Sequence, residues 1–313
     1  MEIKRIATRE SYGNALKLLG QEHQNIVVLD ADLAGATRTS RFKQVYPNRF
    51  IDCGIAEENM MSVAAGLSTM GLVPFVSSFA MFASGRAWEQ VRNSIGYPHL
   101  NVKIAATHGG VSVGEDGATH QCNEDFALMR VIPGMTVMCA SDDVEARKMV
   151  EAAYYHKGPV YMRFGRAYAP VFHSENMEFE IGKGEMLKEG NDVAIIANGI
   201  LVYEALKAAE LLEKENVSAM VVNFATIKPL DEELLIRVAK QCSRIIIAEE
   251  HSIIGGLGEA VSTFFAENCP VKVKRIGVRD IYGHSGSCDE LLLEFGLSCS
   301  NIVKAVRSII DEY

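Results

Sequence analysis

Short apolar runs alternate with helical patterns along this chain. In the first half the runs are Ile26–Leu29, Val73–Val76, Val102–Ala106, Thr136–Cys139 and Val160–Arg163. Between them, Met60, Ala64, Leu67 and Met70 recur at helical spacing over Glu57–Met70, and Gly71 supplies a stop. Ser84–Ile95 places Ala87, Val91 and Ile95 in helical register, and Asp142–Tyr155 gives a third helix. From about Pro170 to Asn191 the pattern breaks into Pro, Gly, Glu and Lys, which predicts a linker with a short extended piece. The rhythm then resumes. Strands are expected at Val193–Ala197, Ala219–Asn223, Ile245–Ala248 and Val271–Ile276. Helices are expected at Leu201–Lys214, Glu232–Gln241, Leu257–Glu267 and Asn301–Ile310. Repeated strand–helix units of this size imply an α/β protein of two domains, each a mostly parallel sheet flanked by helices. The expected limits are 1–170 for the first domain, 171–187 for the linker and 188–313 for the second.

Composition narrows the class. With 313 residues, two domains are also what length predicts, at roughly 100–200 residues each. Apolar residues at 48% and charged residues at 23% exclude disorder, collagen-like sequence and a disulfide scaffold. A net charge of −9 disfavours nucleic acid, which requires a basic face. No apolar stretch approaches the roughly 20 residues that span a bilayer, and Met1-Glu2-Ile3-Lys4-Arg5 lacks a signal core. The seven Cys are odd in number and form no CxxC pair, which points to reduced thiols and a cytoplasmic setting. No zinc-type spacing of Cys and His occurs, so no metal site is expected on this chain.

Four segments concentrate chemistry. Asp52-Cys53-Gly54-Ile55-Ala56-Glu57-Glu58-Asn59 turns from a strand into a helix. Its acids complement a helix dipole, or one of them polarises a ring nitrogen of a ligand. In Ser77-Ser78-Phe79-Ala80-Met81-Phe82, the two Phe are core residues or a flat wall for an aromatic ring. The stretch from Thr107-His108-Gly109-Gly110 to Gly114-Glu115-Asp116-Gly117-Ala118-Thr119-His120-Gln121 joins Gly, His and acids just after a strand, where parallel α/β proteins bind ligands. Arg163-Phe164-Gly165-Arg166 offers solvated charges or a clamp for an oxyanion. A further segment, Gly255-Gly256-Leu257-Gly258-Glu259, reads as a tight strand-to-helix turn, since no GxGxxG or Walker pattern is present.

Taken in order, these segments resemble the C-terminal half of a transketolase over nearly the whole chain. The match also takes in Ile6-Ala7-Thr8-Arg9, Thr226-Ile227-Lys228-Pro229-Leu230-Asp231 and Glu249-Glu250-His251. The resemblance implies a pyrimidine-binding domain followed by a transketolase C-terminal domain, and an enzyme that moves a two-carbon ketol unit from a ketose phosphate to an aldose phosphate. It implies thiamine diphosphate and Mg2+ or another divalent metal. The chain carries no Gly-Asp-Gly motif, so the metal and diphosphate are expected on a separate N-terminal subunit, in a heterotetramer with two copies of each.

By the same resemblance, Glu57 bonds a ring nitrogen of the cofactor and drives its imino tautomer. Phe82 stacks on the pyrimidine, Phe79 lines the pocket and Asp32 lies near the cofactor. His108 and His120 face the substrate, His120 as a proton shuttle. Asp116 reads a substrate hydroxyl, and Arg9 and Arg166 grip the phosphate. One position departs from the family, which has Ser where this chain has Ala36 followed by Thr37. Two other readings stay open: the beta subunit of a 2-oxo-acid dehydrogenase, and a non-catalytic paralogue acting as an interaction protein. The Gly-Glu-Asp-Gly-x-Thr-His segment is closer to transketolase than to the dehydrogenase.

Overall fold

The structure is a computed structural model that describes residues 3–311. Its strands are β1 (Arg5–Ala7), β2 (Ile26–Asp30), β3 (Phe50–Asp52), β4 (Val73–Ser77), β5 (Lys103–Thr107), β6 (Thr136–Cys139) and β7 (Val160–Phe164). They continue as β8 (Tyr168–Pro170), β9 (Glu185–Lys188), β10 (Val193–Ala197), β11 (Ala219–Asn223), β12 (Thr226–Lys228), β13 (Arg244–Ser252) and β14 (Lys272–Val278). A seven-stranded sheet has the order β12-β6-β7-β5-β4-β2-β3, and a five-stranded sheet has the order β14-β13-β10-β11-β9. Both are parallel except at one edge each, where β12 and β9 run antiparallel to their neighbours. β1 and β8 form a small antiparallel ribbon.

The central strands are buried end to end, as parallel strands covered on both faces must be. One face of the large sheet packs on the helices Thr8–Glu22 and Asp143–Tyr155 through Tyr12, Leu16, Met149 and Val150. Its other face shares a continuous core with the second sheet, in which Met60, Val91 and Ile104 join Val222, Ile245 and Phe264. The far face of the second sheet is covered by the helices Leu201–Glu213 and Cys299–Asp311.

Polar links also tie the halves together. β12 belongs to the second half in sequence and to the first sheet in space. Asn223 donates to buried Glu145 at 2.6 Å, and Arg163 donates to the Glu250 carbonyl at 2.7 Å. In the connector, His173 lies between Asp142 (3.1 Å) and Glu185 (2.9 Å).

The expected helix over Ser84–Ile95 takes a different form. It consists of π-helical turns at Met81–Arg86 and Val91–Gly96 around a short α-helical piece at Trp88–Gln90. Ala83, Ala87, Val91 and Ile95 are all fully buried and recur every four residues. An α-helix of 3.6 residues per turn would carry such a row off the core, and wider turns keep it inward.

Candidate active site

The strand register lines up the carboxyl ends of the large sheet. Asp30 pairs with Asp52 and Ser77, and Thr107 pairs with Phe164. The residues just beyond these ends are those the sequence singles out, as expected for an open parallel sheet.

Glu57 opens the helix Glu57–Thr69 and is only 1% exposed. Its position in the first turn suits a carboxylate, because the free N–H groups there carry partial positive charge. Oε1 accepts from the Ser78 hydroxyl at 2.8 Å, and Oε2 accepts from Arg86 at 2.6 Å. Phe79 and Phe82 follow Ser78, with ring centroids 6.1 Å apart and nearly parallel planes. His120 meets Phe82 edge-on at 5.4 Å and Phe79 at 6.1 Å. His108 stacks on Phe79 at 3.9 Å.

His108 is 2% exposed and holds a left-handed backbone (φ 59°). Such strain in a non-glycine residue recurs at functional sites. Its Nδ1 lies 2.8 Å from the Thr107 hydroxyl, and its Nε2 lies 3.0 Å from Arg9 Nη1. Burial first, then the positive charge of Arg9 and Arg166, pushes its pKa down to about 3. Gly109 and Gly110 follow because nothing larger fits. A Cβ at Gly109 would lie 1.8 Å from Arg163 Nε, and one at Gly110 (φ 78°) would lie 2.3 Å from the Glu250 carboxyl.

The two Arg of the Arg163–Arg166 segment separate. Arg163 is internal, paired with Asp125 at 3.1 Å and bonded to the carbonyls of Cys122 and Glu250. Arg166 reaches the site, where it donates to the Val113 carbonyl and to Glu115 at 2.7 Å. Arg9 donates to the Ala36 carbonyl at 3.1 Å, while its buried Nε has no partner among the described residues. Burial and the nearby Arg38 charge lower the Arg9 pKa. Beside Arg9 a cleft of about 470 Å3 opens between the two halves, lined by Arg5, Arg166, Tyr203 and Lys207.

Contacts therefore join Glu57, Phe79, Phe82, His108, His120 and Arg9 into one group. Arg166 stands at its rim. Asp32 (φ 62°) and Asp116 are exposed on neighbouring loops, and the contacts among the described residues do not join them to the group. Two participants went unread in the sequence. Arg86 lies four residues past Phe82 in what reads as a plain helix, and Glu115 gave no sign of pairing with Arg166. Among the described residues, no cluster of His, Cys, Asp or Glu is arranged to hold a metal, and no helix is long and apolar enough to cross a membrane.

At Gly255–Glu259 the turn is occupied from within. Glu249 accepts from the Leu257 and Gly258 N–H groups at 2.7 Å each. Burial pushes the Glu249 pKa up to about 7. The helix terminus that could attract a ligand phosphate already holds this carboxyl.

Residues 4–170 match the transketolase pyrimidine-binding domain, and residues 182–302 match the transketolase C-terminal domain. The chain belongs to the transketolase family. A Methanocaldococcus jannaschii protein described as a transketolase C-terminal section is 48% identical, covering 95% of this chain and 94% of its own length. A 6-deoxy-6-sulfo-D-fructose transketolase subunit from Clostridium sp. (strain MSTE9) is 45% identical, covering 97% of this chain and 94% of its own length. A solved structure described as a split gene transketolase, inactive beta4 tetramer, superposes with a TM-score of 0.91 at 50% identity, covering 98% of this chain and 99% of that one. The chain is thus a transketolase subunit corresponding to the C-terminal section of the enzyme.

Proposed function

We propose that this subunit supplies the pyrimidine pocket and the substrate-anion grip of a thiamine-diphosphate-dependent ketol transfer. A separate N-terminal subunit holds the diphosphate and Mg2+, and two copies of each make the working enzyme. The observation that carries this reading is the burial of Glu57 at a helix start, linked through Arg86 to the Phe79–Phe82 wall on which the two His pack. A flat aminopyrimidine fits a site built of one carboxyl and an aromatic face. Among the described residues no cluster of His, Cys, Asp or Glu is arranged to hold a metal, which agrees with a diphosphate and metal site on the other subunit.

Thiamine diphosphate, when bound, supplies the carbon nucleophile that carries the two-carbon unit. Glu57 bonds the ring nitrogen, Ser78 orients the carboxyl, and Phe82 stacks on the ring with Phe79 behind it. Asp32 borders the cofactor from the loop after β2. His120 moves a proton at the substrate carbonyl. His108 bonds a substrate hydroxyl, accepting it at Nε2 once Arg9 turns to its anion. Asp116 reads a second hydroxyl. Arg9 and Arg166 grip the terminal anion of the sugar, and the unpaired Arg9 Nε is a donor ready for it. With Ala36 in place of the family Ser, recognition rests on guanidinium charge. That suits a phosphate, and also a sulfonate of the kind named in the Clostridium relative.

All seven Cys are free, in keeping with the cytoplasm. The test is assembly with the N-terminal subunit, followed by assays of ketol transfer and of pyruvate decarboxylation. Wild type should carry out the first. Glu57→Gln should lower it by about 10²–10⁴-fold with the fold intact. Normal turnover in Glu57→Gln, or decarboxylation alone, would defeat the reading.

A further inference from the structure

We infer that Arg86 is a built-in occupant of the pyrimidine pocket, which has to leave before the cofactor ring can enter. The inference rests on the reading of Glu57 and Phe82 as pyrimidine ligands. Arg86 touches both. Its Nη1 donates to Glu57 Oε2 at 2.6 Å, and its Cζ lies 4.5 Å from the Phe82 ring centroid. These are the two contacts proposed for the cofactor ring. A pyrimidine stacked on Phe82 and bonded to Glu57 needs that same space. The guanidinium imitates its shape, being planar, nitrogen-rich and able to stack on a ring while it is bonded to the carboxyl group.

The two partners differ in freedom. The Glu57 side chain is 1% exposed and that of Arg86 is 38% exposed. Arg86 can swing into water with its charge solvated, whereas Glu57 stays buried and needs a replacement partner. Release of Arg86 is therefore tied to arrival of a ring that restores the bond to Glu57. Its backbone suits such a movement. Arg86 ends the π-helical turn Met81–Arg86, where the Ala87 N–H reaches back five residues to the Phe82 carbonyl. Turns of this kind are rare and frequent at functional sites. Gly85 precedes Arg86, and a Cβ there would lie 2.4 Å from the end of the Met81 side chain.

The consequence is competition. Without its partner subunit the chain keeps its buried carboxyl paired, and thiamine diphosphate binds at the expense of that internal contact. Arg86→Gln in the assembled enzyme should tighten thiamine diphosphate binding about tenfold by calorimetry, since a stacked ion pair no longer competes. Arg86→Lys keeps the charge without the planar stack and should tighten it less. A second readout comes from Trp88, the only tryptophan of the chain. With 5-fluorotryptophan in this subunit alone, its 19F resonance should shift when thiamine diphosphate binds the wild type. In Arg86→Gln that resonance should start nearer the bound position. Unchanged or weaker binding in Arg86→Gln overturns the inference, and so does an unaltered 19F response. Glu57→Gln separates it from the underlying reading. If that variant keeps turnover, the reading falls and the inference falls with it. If turnover is lost and Arg86→Gln still binds as wild type does, the inference alone falls.

Discussion

Arg9 and His108 share a hydrogen bond in which only Arg9 can be the donor. Arg9 Nη1 lies 3.0 Å from His108 Nε2, and a guanidinium has no acceptor. Nε2 is therefore bare, and the proton sits on Nδ1, facing the Thr107 hydroxyl at 2.8 Å. With its pKa pushed down to about 3, the imidazole is neutral at any pH where the enzyme works. Nitrogen-15 NMR should show a protonated Nδ1, a bare Nε2 and no titration near the ordinary value of about 6.5. Arg9→Gln should raise the His108 pKa, because it removes the nearest opposing charge. A wild-type His108 titrating at the ordinary value would contradict this arrangement.

The anion grip predicts a split between KM and kcat. Hydrogen bonds to charged groups contribute about 1.5–3 kcal/mol. Arg166→Gln should therefore raise KM for a phosphorylated or sulfonated sugar by roughly 10–150-fold. The efficiency with an uncharged aldose should change little. Equal losses on charged and uncharged substrates would place Arg166 outside the grip.

Two glycines should behave oppositely. Gly110 has φ 78° and sits 2.3 Å, at its imagined Cβ, from the Glu250 carboxyl. Gly110→Ala should cost about 3 kcal/mol or more, or roughly 6 °C or more in Tm. Gly66 is exposed within the helix Glu57–Thr69, with nothing within 4 Å of its Cβ position. Gly66→Ala should stabilise by about 0.5–1 kcal/mol. Thermal melts of the two variants beside wild type decide both.

The connector should make stability depend on pH. Burial by itself would lower the His173 pKa, but hydrogen bonds to Asp142 and Glu185 prevail and hold it at about 10. A folded-state value above the unfolded value of about 6.5 means that the contribution is complete below that pH and is lost as pH rises through 10. Lys103 acts in the opposite sense. Burial pulls it down to about 7, so its penalty eases as the unfolded chain loses its proton at higher pH. The whole curve therefore mixes signs, and the difference between wild type and His173→Gln isolates the clamp. That difference should shrink between about pH 6.5 and 10 in urea titrations. A constant difference would mean that His173 is uncharged in the fold.

The sheets were legible in the sequence because parallel strands covered on both faces read as unbroken apolar runs, as at Ile26–Leu29 and Val193–Ala197. Glu57 and His108 were legible because they follow strand ends in distinctive segments. Other features left weaker signals. The helix Thr8–Glu22 mixes Lys, Glu and Gln with few apolar residues, and its inward face shows only after folding. β12 is three residues long and takes its identity from β6, a partner distant in sequence. The row Ala83, Ala87, Val91, Ile95 marked an inward face but not the widened turns that hold it there. Arg86 was invisible as a participant because a single basic residue on an exposed helical position is ordinary. Only its approach to Glu57 in space distinguishes it.

The seating of β12 against β6 bears on how the chain matures and how it can be cut. Until Thr226–Lys228 arrives, the outer side of β6 carries unpaired N–H and C=O groups beside Val137 and Met138. A polypeptide ending at residue 170 would keep that edge bare permanently, and with it the apolar face that Val222, Ile245 and Phe264 cover in the whole chain. Such a fragment would recruit strands from its neighbours. The connector is thus a poor place to divide the protein, and the first sheet is finished only on a chain that has been completed.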